Sequence, residues 1–456
     1  LLKEELNISH IRFWDIYSDK LLIDIQSGKY NFTKMDNVLD FFVNNNIRPY
    51  IELGFKPKVL SRNVGNYMIS EERSILFSSS GEQNEFIYSM LSHFVNRYGM
   101  EEVEEWFFEQ WIDPRLLTSE DYHDFFEVFE TSYFALKSVS PRIKLGGGID
   151  QSRNMDTLRK IIKMWKKRSC YPDFISFYCF PYIVAPKVKG HAAIDLFSNQ
   201  NLMEDYIKSI KGIMQENRFT IPELHISEWN LSVSNRNPLH DSCFKGAFVM
   251  KNIIDNWDKV DLMGYWVASD LFSEYFDSNV LLNGSCGLIS RDGIKKPSYY
   301  AIYFLNCLQK YMMGCYDNCI VTTNGHDNYS ITCHNYKHPN VNYYLKKESE
   351  IRVEDDSLLF DDMKPLTIRF HIKNVKKGLY QIKVHSLNRH NGSVQDEWLK
   401  MGFSENLDNH DINYLKKICT PHITIKTCEV TDRCLNFETV LEANEIQYIH
   451  LKLLLK

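Results

Sequence analysis

Three carboxylates in the sequence have types and positions that could perform acid–base or nucleophilic chemistry. Glu109 and Asp113 lie in the stretch VEEWFFEQWIDP, residues 103–114, and Glu228 lies in PELHISEW, residues 222–229. A carboxylic acid can donate a proton to a leaving group, and a carboxylate can act as a base or as a nucleophile. Whether these groups react together depends on the elements that hold them.

Strand-like and helix-like segments alternate along the first two thirds of the chain. Repetition of strand, helix and strand is typical of parallel βαβ units with right-handed crossovers. The strand-like runs are HIRFWDIY, RPYIELGF, EEWFFEQW, RIKLGGG, PDFISFY, PELHISEW and DLMGYWVAS. No glycine-rich phosphate turn follows the first of these seven runs, which argues against an open doubly wound sheet. We therefore predict an α/β fold, a (β/α)8 TIM barrel.

The chain opens with LLKEELN, which resembles the end of a helix. A barrel of this kind has eight strands, and the sequence shows seven. We expect the first barrel strand to lie upstream of residue 1.

The pattern changes after Gln309. Short alternating runs separated by Asn, Asp and Gly turns are typical of an antiparallel β-sandwich. These runs are CIVTTNGHDNYSITCHNY, VNYYLKK, LTIRFHIKNV, GLYQIKVHSL, HITIKTCEV and EIQYIHLKLLL. A chain of 456 residues exceeds what one core usually fills. We predict a barrel over residues 1–309 and an accessory β-sandwich over residues 310–456 that brings no chemistry of its own.

Composition excludes several classes of partner. A formal net charge of −6 does not indicate the excess of positive charge that binding to nucleic acid or to an anionic membrane requires. Any DNA contact would therefore come through a region that is not in this chain. No apolar run is long enough to span a membrane, and no signal-peptide pattern opens the sequence.

The eleven cysteines are odd in number and have no short repeating spacing, which indicates reduced thiols in a cytoplasmic protein. The close pair Cys315 and Cys319 lacks a second pair at zinc spacing. We expect no metal and no other cofactor.

In a (β/α)8 barrel the reacting groups lie at the carboxyl ends of the strands. Asp113 and Glu228 would face each other across the barrel mouth. A retaining glycosidase needs such a pair, about 5–5.5 Å apart, with one proton donor and one nucleophile. We interpret Glu109 as a carboxylate paired inside the barrel wall.

Nearly the whole chain resembles glycoside hydrolase family 39, the β-xylosidase and α-L-iduronidase relatives among the (β/α)8 glycosidases. The stretches that carry the resemblance are YNFTKMDNVLDFFVNNNIRPYIELGFKPK, WFFEQWIDP, HISEWNLSVSNRNPLHDSCFKGAF, YWVASDLFSE and GLISRDGIKKPSYYAIYFL. The resemblance implies a barrel with an accessory sandwich, retaining chemistry and a carbohydrate ligand. It places Glu228 at the nucleophile position and Asp113 at the acid/base position. Trp266 and Glu274 match residues that line the sugar site.

The pocket departs from the family pattern at several positions. Asp113 stands where the family has Glu, which withdraws the acid by about 1.5 Å, and a misplacement of about 1 Å can cost on the order of a hundredfold in rate. Ile112 stands where the family has an Asn that binds the sugar 2-hydroxyl. A sugar hydroxyl buried against Ile112 would have no hydrogen-bond partner, which costs roughly 1–3 kcal/mol of binding free energy. The other replacements are Trp14 for His, Tyr178 and Phe180 for His and Tyr, and Ser273 for Glu. A xyloside or iduronide should therefore bind poorly.

Several roles have two interpretations. Asp113 is either a working proton donor or a carboxylate that orders its loop. Glu228 can serve as a nucleophile or simply hydrogen-bond its neighbours at the strand end. The tryptophans of the expected barrel mouth either stack on a sugar or fill the top of the barrel; they are Trp14, Trp111, Trp229 and Trp266.

Two functional hypotheses follow. The first is a non-catalytic regulatory or ligand-sensing region, which resembles the C-terminal part of AraC-type bacterial transcription regulators of the staphylococcal Rsp and Rbf type. Its partners would be a carbohydrate ligand and, in a homodimer, a second copy of the chain. The second is an active retaining glycoside hydrolase, β-xylosidase-like, whose altered pocket accepts an unusual, phosphorylated or uronic sugar.

Overall fold

The structure is a computed structural model. It describes residues 1–14, 16, 30–54, 65–66, 72–73, 77–111, 117, 119–148, 155–184, 194–196, 199–234, 236–271, 280–346, 350–352 and 356–455.

Helices and strands are numbered separately along the chain. The helices are α1 (Leu2–Leu6), α2 (Thr33–Asn44), α3 (Ser80–Tyr98), α4 (Met100–Val103), α5 (His123–Val139), α6 (Met155–Trp165), α7 (Leu202–Glu216), α8 (Cys243–Asn256), α9 (Pro297–Asn306), α10 (Val341–Leu345), α11 (Asp356–Leu359), α12 (Val394–Lys400) and α13 (Asn409–Ile418). The strands are β1 (His10–Phe13), β2 (Arg48–Glu52), β3 (Gly65–Asn66), β4 (Glu72–Arg73), β5 (Phe107–Gln110), β6 (Lys144–Gly147), β7 (Phe174–Cys179), β8 (Tyr182–Val184), β9 (Ile194–Leu196), β10 (Glu223–Trp229), β11 (Leu262–Tyr265), β12 (Tyr311–Tyr316), β13 (Cys319–Thr323), β14 (Asn328–His334), β15 (Leu366–Lys373), β16 (Gly378–Leu387), β17 (His422–Val430), β18 (Cys434–Leu441) and β19 (Ile446–Leu455).

Seven strands of the described residues form one sheet in the order β1-β2-β5-β6-β7-β10-β11. The neighbouring pairs from β1 to β10 are parallel. The order of these seven strands in the sheet is the same as their order along the chain, as successive βαβ units in a barrel require. The predicted α/β fold of the TIM-barrel kind is confirmed. Helix α1 confirms the helical interpretation of LLKEELN, while the expected strand upstream of residue 1 stays a prediction.

Aromatic rings fill the inner face of this sheet near the amino ends of its strands. Tyr50 on β2 and Phe107 on β5 have ring centroids 5.4 Å apart, and Phe107 lies 5.4 Å from Phe174 on β7. His225 on β10 stacks on Phe174 at 4.4 Å, and His10 on β1 lies 5.0 Å from Phe107. These five residues form a layer to which five strands contribute. Since side chains alternate along a strand, the residues two positions further on face the same interior.

The chain divides into two compact units. The first comprises residues 1–179, 205–229 and 258–264, and the second comprises residues 180–204, 230–257 and 265–456. The predicted domain boundary between residues 309 and 310 is a different division, and it stays a prediction.

The second unit contains an antiparallel β-sandwich. One sheet has the order β12-β13-β14-β19-β16-β17, and the other pairs β15 with β18. Apolar side chains from both sheets pack into one core cluster, which includes Ile331, Phe370, Tyr380 and Leu435. The predicted sandwich is confirmed.

One expected strand of the sandwich is wrong. The run VNYYLKK was expected to be extended, but residues 341–345 form helix α10. The side chain of Asn340 accepts a hydrogen bond from the backbone N–H of Asn342 at 2.9 Å. This cap satisfies a donor at the start of the helix, and it outweighs the strand preference of Val and Tyr.

No disulfide joins any two of the eleven cysteines, all of which lie in the described residues. This agrees with the expected reduced thiols. Within the described part of the chain, we find no helix with both the length and the apolar character to cross a membrane.

Candidate active site

A polar layer lies above the aromatic layer, toward the carboxyl ends of the strands. Arg12 on β1 follows His10 by two residues, and Glu52 on β2 follows Tyr50 by two residues. Glu109 on β5 follows Phe107 in the same way. Alternation therefore directs these three charged side chains to the interior of the sheet.

Strand β10 reaches this layer by a different route. Ile226 pairs with Phe177 and Glu228 pairs with Tyr178, so that Ser227 is an extra residue in the ladder. A β-bulge of this kind changes the face to which the following side chains point. Glu228 thus faces the same interior as His225, although simple alternation would place Ser227 there.

Arg12 joins the members of this layer. Its Nε donates to Glu109 Oε2 at 2.6 Å, and its Nη1 donates to Glu228 Oε1 at 2.5 Å. Its Nη2 donates to Glu52 Oε2 at 2.5 Å and to the Tyr178 hydroxyl at 2.7 Å. The Tyr178 ring also lies 5.3 Å from the guanidinium carbon. We call these five residues the arginine cluster.

The arginine cluster is buried to different depths. The side chains of Glu52 and Glu109 are 4% and 3% exposed, whereas that of Glu228 is 14% exposed. Glu228 is therefore the carboxylate of this cluster that is most open to a ligand.

Burial disfavours the charged form of a carboxyl group, and a neighbouring cation opposes that effect. Burial raises the pKa of Glu52 to about 8, although Arg12 opposes the shift. Burial likewise raises the pKa of Glu228 to about 7, against Arg12 and a hydrogen bond from Tyr178. Both carboxyl groups therefore titrate close to neutral pH.

Gly54 leaves room for the Glu52 carboxylate. A Cβ atom at Gly54 would lie 2.5 Å from Glu52 Oε1, which is closer than van der Waals contact allows. We expect Gly54→Ala to lower the free energy of unfolding by about 1–3 kcal/mol, because Arg12 holds the carboxylate in place. Denaturant unfolding measures this effect. Gly212→Ala, on helix α7 and with no atom within 4 Å of its added Cβ, is the control and should not destabilise.

The structure brings together two residues of the predicted site, Tyr178 and Glu228, through Arg12. Glu109 is paired, as expected, with Arg12. Trp14 directly follows β1, Phe180 directly follows β7 and Trp266 directly follows β11, all at carboxyl ends of strands.

Other predicted site residues lie outside the described residues. They are Ile112, Asp113, Ser273 and Glu274. The expected Asp113–Glu228 pair and the expected filling of the sugar site therefore stay predictions. Trp229 is 1% exposed, which favours the interpretation that it fills the core.

Arg12 and Glu52 were missed as members of the site. A signal was present, since each is a charged residue near the end of a run of strand-forming residues. Charged side chains are almost never fully buried unless they are paired. The partners could not be assigned, because the three carboxylates are 40, 97 and 216 residues away from Arg12 along the chain.

A second group of polar side chains gathers at the start of helix α5. Ligand-type atoms of His123, Asp124 and Glu127 lie within 4.8 Å of one another. Exposed groups of this kind are common in proteins that bind no metal, and we assign this one no role.

Comparison with known proteins agrees with this fold. The family model of glycosyl hydrolases family 39 matches residues 1–433. A beta-xylosidase of Geobacillus stearothermophilus is 26% identical over 467 residues, which cover 99% of this chain and 88% of the relative. A solved family 39 enzyme of Xanthomonas axonopodis pv. citri superimposes with a TM-score of 0.82 at 20% identity, over 99% of this chain and 89% of that one.

A second kind of relative shares only part of the chain. A helix-turn-helix-type transcriptional regulator of Staphylococcus aureus is 25% identical over 231 residues, which cover 50% of this chain and 29% of the regulator. The family model, in contrast, covers the barrel strands and most of the sandwich. The chain therefore belongs to glycosyl hydrolases family 39.

Proposed function

We propose that this chain is an active retaining glycoside hydrolase, β-xylosidase-like, with Glu228 as nucleophile and Asp113 as acid/base. The observation that carries the proposal is the position of Glu228 at the carboxyl end of β10, hydrogen-bonded to Arg12 and more exposed than the cluster's other carboxylates. This exposure leaves the carboxylate accessible to a ligand at the end of the strand where barrel enzymes place their reacting groups. We thus favour hydrolysis over the purely regulatory hypothesis.

The reaction has two steps. Glu228 attacks the anomeric carbon while the bond to the leaving-group oxygen breaks, and Asp113 gives that oxygen its proton. Water then attacks the same carbon, Asp113 takes a proton from it, and the bond to Glu228 breaks. Two inversions leave the configuration of the sugar unchanged.

The charges of the arginine cluster favour a neutral sugar. Three carboxyl groups already engage Arg12, the cation that the structure describes in this cluster, so two ionised groups suffice to make the cluster negative. An anionic sugar would meet like charges there, and in a partly desolvated site that repulsion is strong. A neutral pyranoside is therefore the proposed substrate class, in place of a uronic or phosphorylated sugar.

The departures at Trp14, Ile112, Phe180 and Ser273 concern predicted sugar contacts, whereas Tyr178 lies in the arginine cluster and Asp113 is the proposed acid/base. The four departures bear on which sugar binds and how tightly. Asp113 retains a carboxylic acid at the acid/base position, so the exchange of Glu for Asp is expected to slow the chemistry and not to abolish it. Altered specificity within a working enzyme is thus compatible with them.

A panel of 4-nitrophenyl glycosides tests the proposal. We expect nitrophenol release from a neutral pyranoside and little from the β-D-glucuronide. Release from the β-D-xyloside should require a high substrate concentration, because the altered sugar contacts weaken its binding. Proton NMR of the first product formed should show the anomer with the configuration of the substrate. Absence of release from every member of the panel would refute the enzymatic function.

The regulatory hypothesis remains the second candidate, since the similarity to the staphylococcal regulator spans half of this chain. In that case a sugar would raise the thermal unfolding temperature of the protein without being hydrolysed. Hydrolysis of any glycoside in the panel would remove the non-catalytic interpretation.

A further inference from the structure

The arginine cluster has an unbalanced charge. One guanidinium faces three carboxyl groups, at 2.5, 2.5 and 2.6 Å. If all three were ionised, two negative charges would have no counter-charge within the cluster. Burial makes uncompensated charge costly, and buried acids respond by holding a proton. One of the three carboxyl groups is therefore expected to be protonated at neutral pH.

The groups that face Glu52 come from four strands. Arg12 of β1 donates to it, and Glu109 of β5 and Glu228 of β10 share the same guanidinium. The Tyr178 hydroxyl of β7 accepts from the Arg12 nitrogen that also contacts Glu52. Of these neighbours one is cationic and two are acidic, so the two acids offset part of the attraction between Arg12 and an ionised Glu52.

Geometry separates Glu52 from the other two acids. Within the cluster, Arg12 donates to Glu228 through Nη1 and to Glu109 through Nε, so each of these acids has a nitrogen of its own. Nη2, in contrast, is divided between Glu52 and the Tyr178 hydroxyl, and it also lies 2.6 Å from Glu109 Oε2. Glu52, with 4% of its side chain accessible, is nearly as buried as Glu109 and much more buried than Glu228. An ionised Glu52 would therefore have less compensation from Arg12 than Glu109 has, and less from water than Glu228 has.

Given the proposed hydrolytic function, on which this inference depends, we propose that Glu52 is a positioning residue that holds a proton at neutral pH and thereby favours the ionised form of Glu228. As a neutral acid, Glu52 still accepts the hydrogen bond of Arg12 and keeps the guanidinium in place. It adds no second negative charge next to the nucleophile. The pKa of about 8 for Glu52, raised chiefly by burial, agrees with this assignment.

Infrared spectroscopy tests the proton directly, without any enzymatic activity. Difference spectra between about pH 6 and pH 9 should show loss of the C=O stretching band of a buried carboxylic acid in the wild-type protein. In Glu52→Gln, the loss of this band that occurs around pH 8 should be absent, because the titrating group has been removed. If Glu52→Gln leaves the band and its titration unaltered, the assignment to Glu52 is wrong.

The pH dependence of kcat/KM separates Glu52 from Glu109. If Glu52 is already neutral, the isosteric Glu52→Gln should leave the acid limb, which reports ionisation of Glu228, within about 0.3 pH unit of the wild type. Glu109→Gln removes a neighbour whose charge raises the pKa of Glu228, so its acid limb should move down by about one pH unit. An equal downward shift in Glu52→Gln would show that Glu52 is ionised at neutral pH.

The two measurements distinguish failure of this inference from failure of the proposed function. An infrared band that depends on Glu52 in a protein that hydrolyses no glycoside would confirm the proton and refute the enzyme. Hydrolysis of a glycoside, together with an infrared band that does not depend on Glu52, would confirm the enzyme and refute the proton on Glu52. Circular dichroism of both variants verifies that they are folded.

Discussion

Glu228→Gln is expected to lower kcat for the hydrolysed glycoside by on the order of 10⁴-fold or more. The amide is almost isosteric with the carboxylate, but it cannot act as the nucleophile that forms the glycosyl intermediate. It can still accept the hydrogen bond of Arg12, so the loss should appear in kcat with little change in stability. Release of nitrophenol under saturating substrate measures the effect.

A second variant gives a readout that a structural role would not affect. In Glu228→Ala the space of the missing carboxylate is open to a small anion such as azide. Azide should restore cleavage of an activated glycoside and give a glycosyl azide of inverted configuration, because only one displacement then occurs. Retained configuration in this product would contradict the role of Glu228.

The matched control for Glu228 lies on the same strand. Glu223 begins β10, at the end opposite to Glu228, and accepts hydrogen bonds from Lys144 and His225. Glu223→Gln should change kcat by less than about threefold, since a substitution away from the reacting atoms removes no transition-state contact. A loss in Glu223→Gln as large as that in Glu228→Gln would indicate a general structural effect.

Arg12→Gln is expected to lower the free energy of unfolding by about 3–5 kcal/mol at neutral pH. The substitution leaves Glu52, Glu109 and Glu228 buried next to one another without their common counter-ion. Activity should also fall, because Glu228 loses the hydrogen bond that orients it. Denaturant unfolding and steady-state kinetics measure the two effects.

The destabilisation in Arg12→Gln should depend on pH. Arg12 lowers the pKa of Glu52 and of Glu228, so without it both values should rise above about 8 and 7. The folded variant then retains protons that the unfolded chain, with carboxyl pKa values near 4.5, releases. Stability therefore falls as pH rises above about 5, as in the wild type, but in the variant the fall continues to higher pH because the folded state releases these protons later. The variant should be closest to the wild type near pH 5.

Arg48→Gln is the control for this variant. Arg48 begins β2 and pairs with Glu105 at 3.1 Å, but the two side chains are 47% and 55% exposed. Water screens such a pair, and its removal should cost only about 0–1 kcal/mol. Equal losses in Arg48→Gln and Arg12→Gln would mean that the burial of the arginine cluster has no energetic consequence.

Local patterns predicted most elements of the fold. Apolar residues at helical spacing marked helices such as α5, and alternating runs marked strands such as β15 and β17. These signals are local because each depends on whether one face of one element is buried. The prediction was wrong at α10, where the cap provided by Asn340 outweighed the strand preference of the residues that follow.

The sequence by itself determined the alternation of strands and helices, the antiparallel sandwich, and the presence of Glu109 and Glu228 near the ends of buried strands. Only the tertiary structure decided that Arg12 would gather Glu52, Glu109 and Glu228, which come from three other strands. Which side chains meet at Arg12 depends on the order of the strands in the sheet and on their register. Neither property can be read from any single residue. The bulge at Ser227 shows the physical reason most clearly, because one extra residue in the ladder decides whether Glu228 faces the interior.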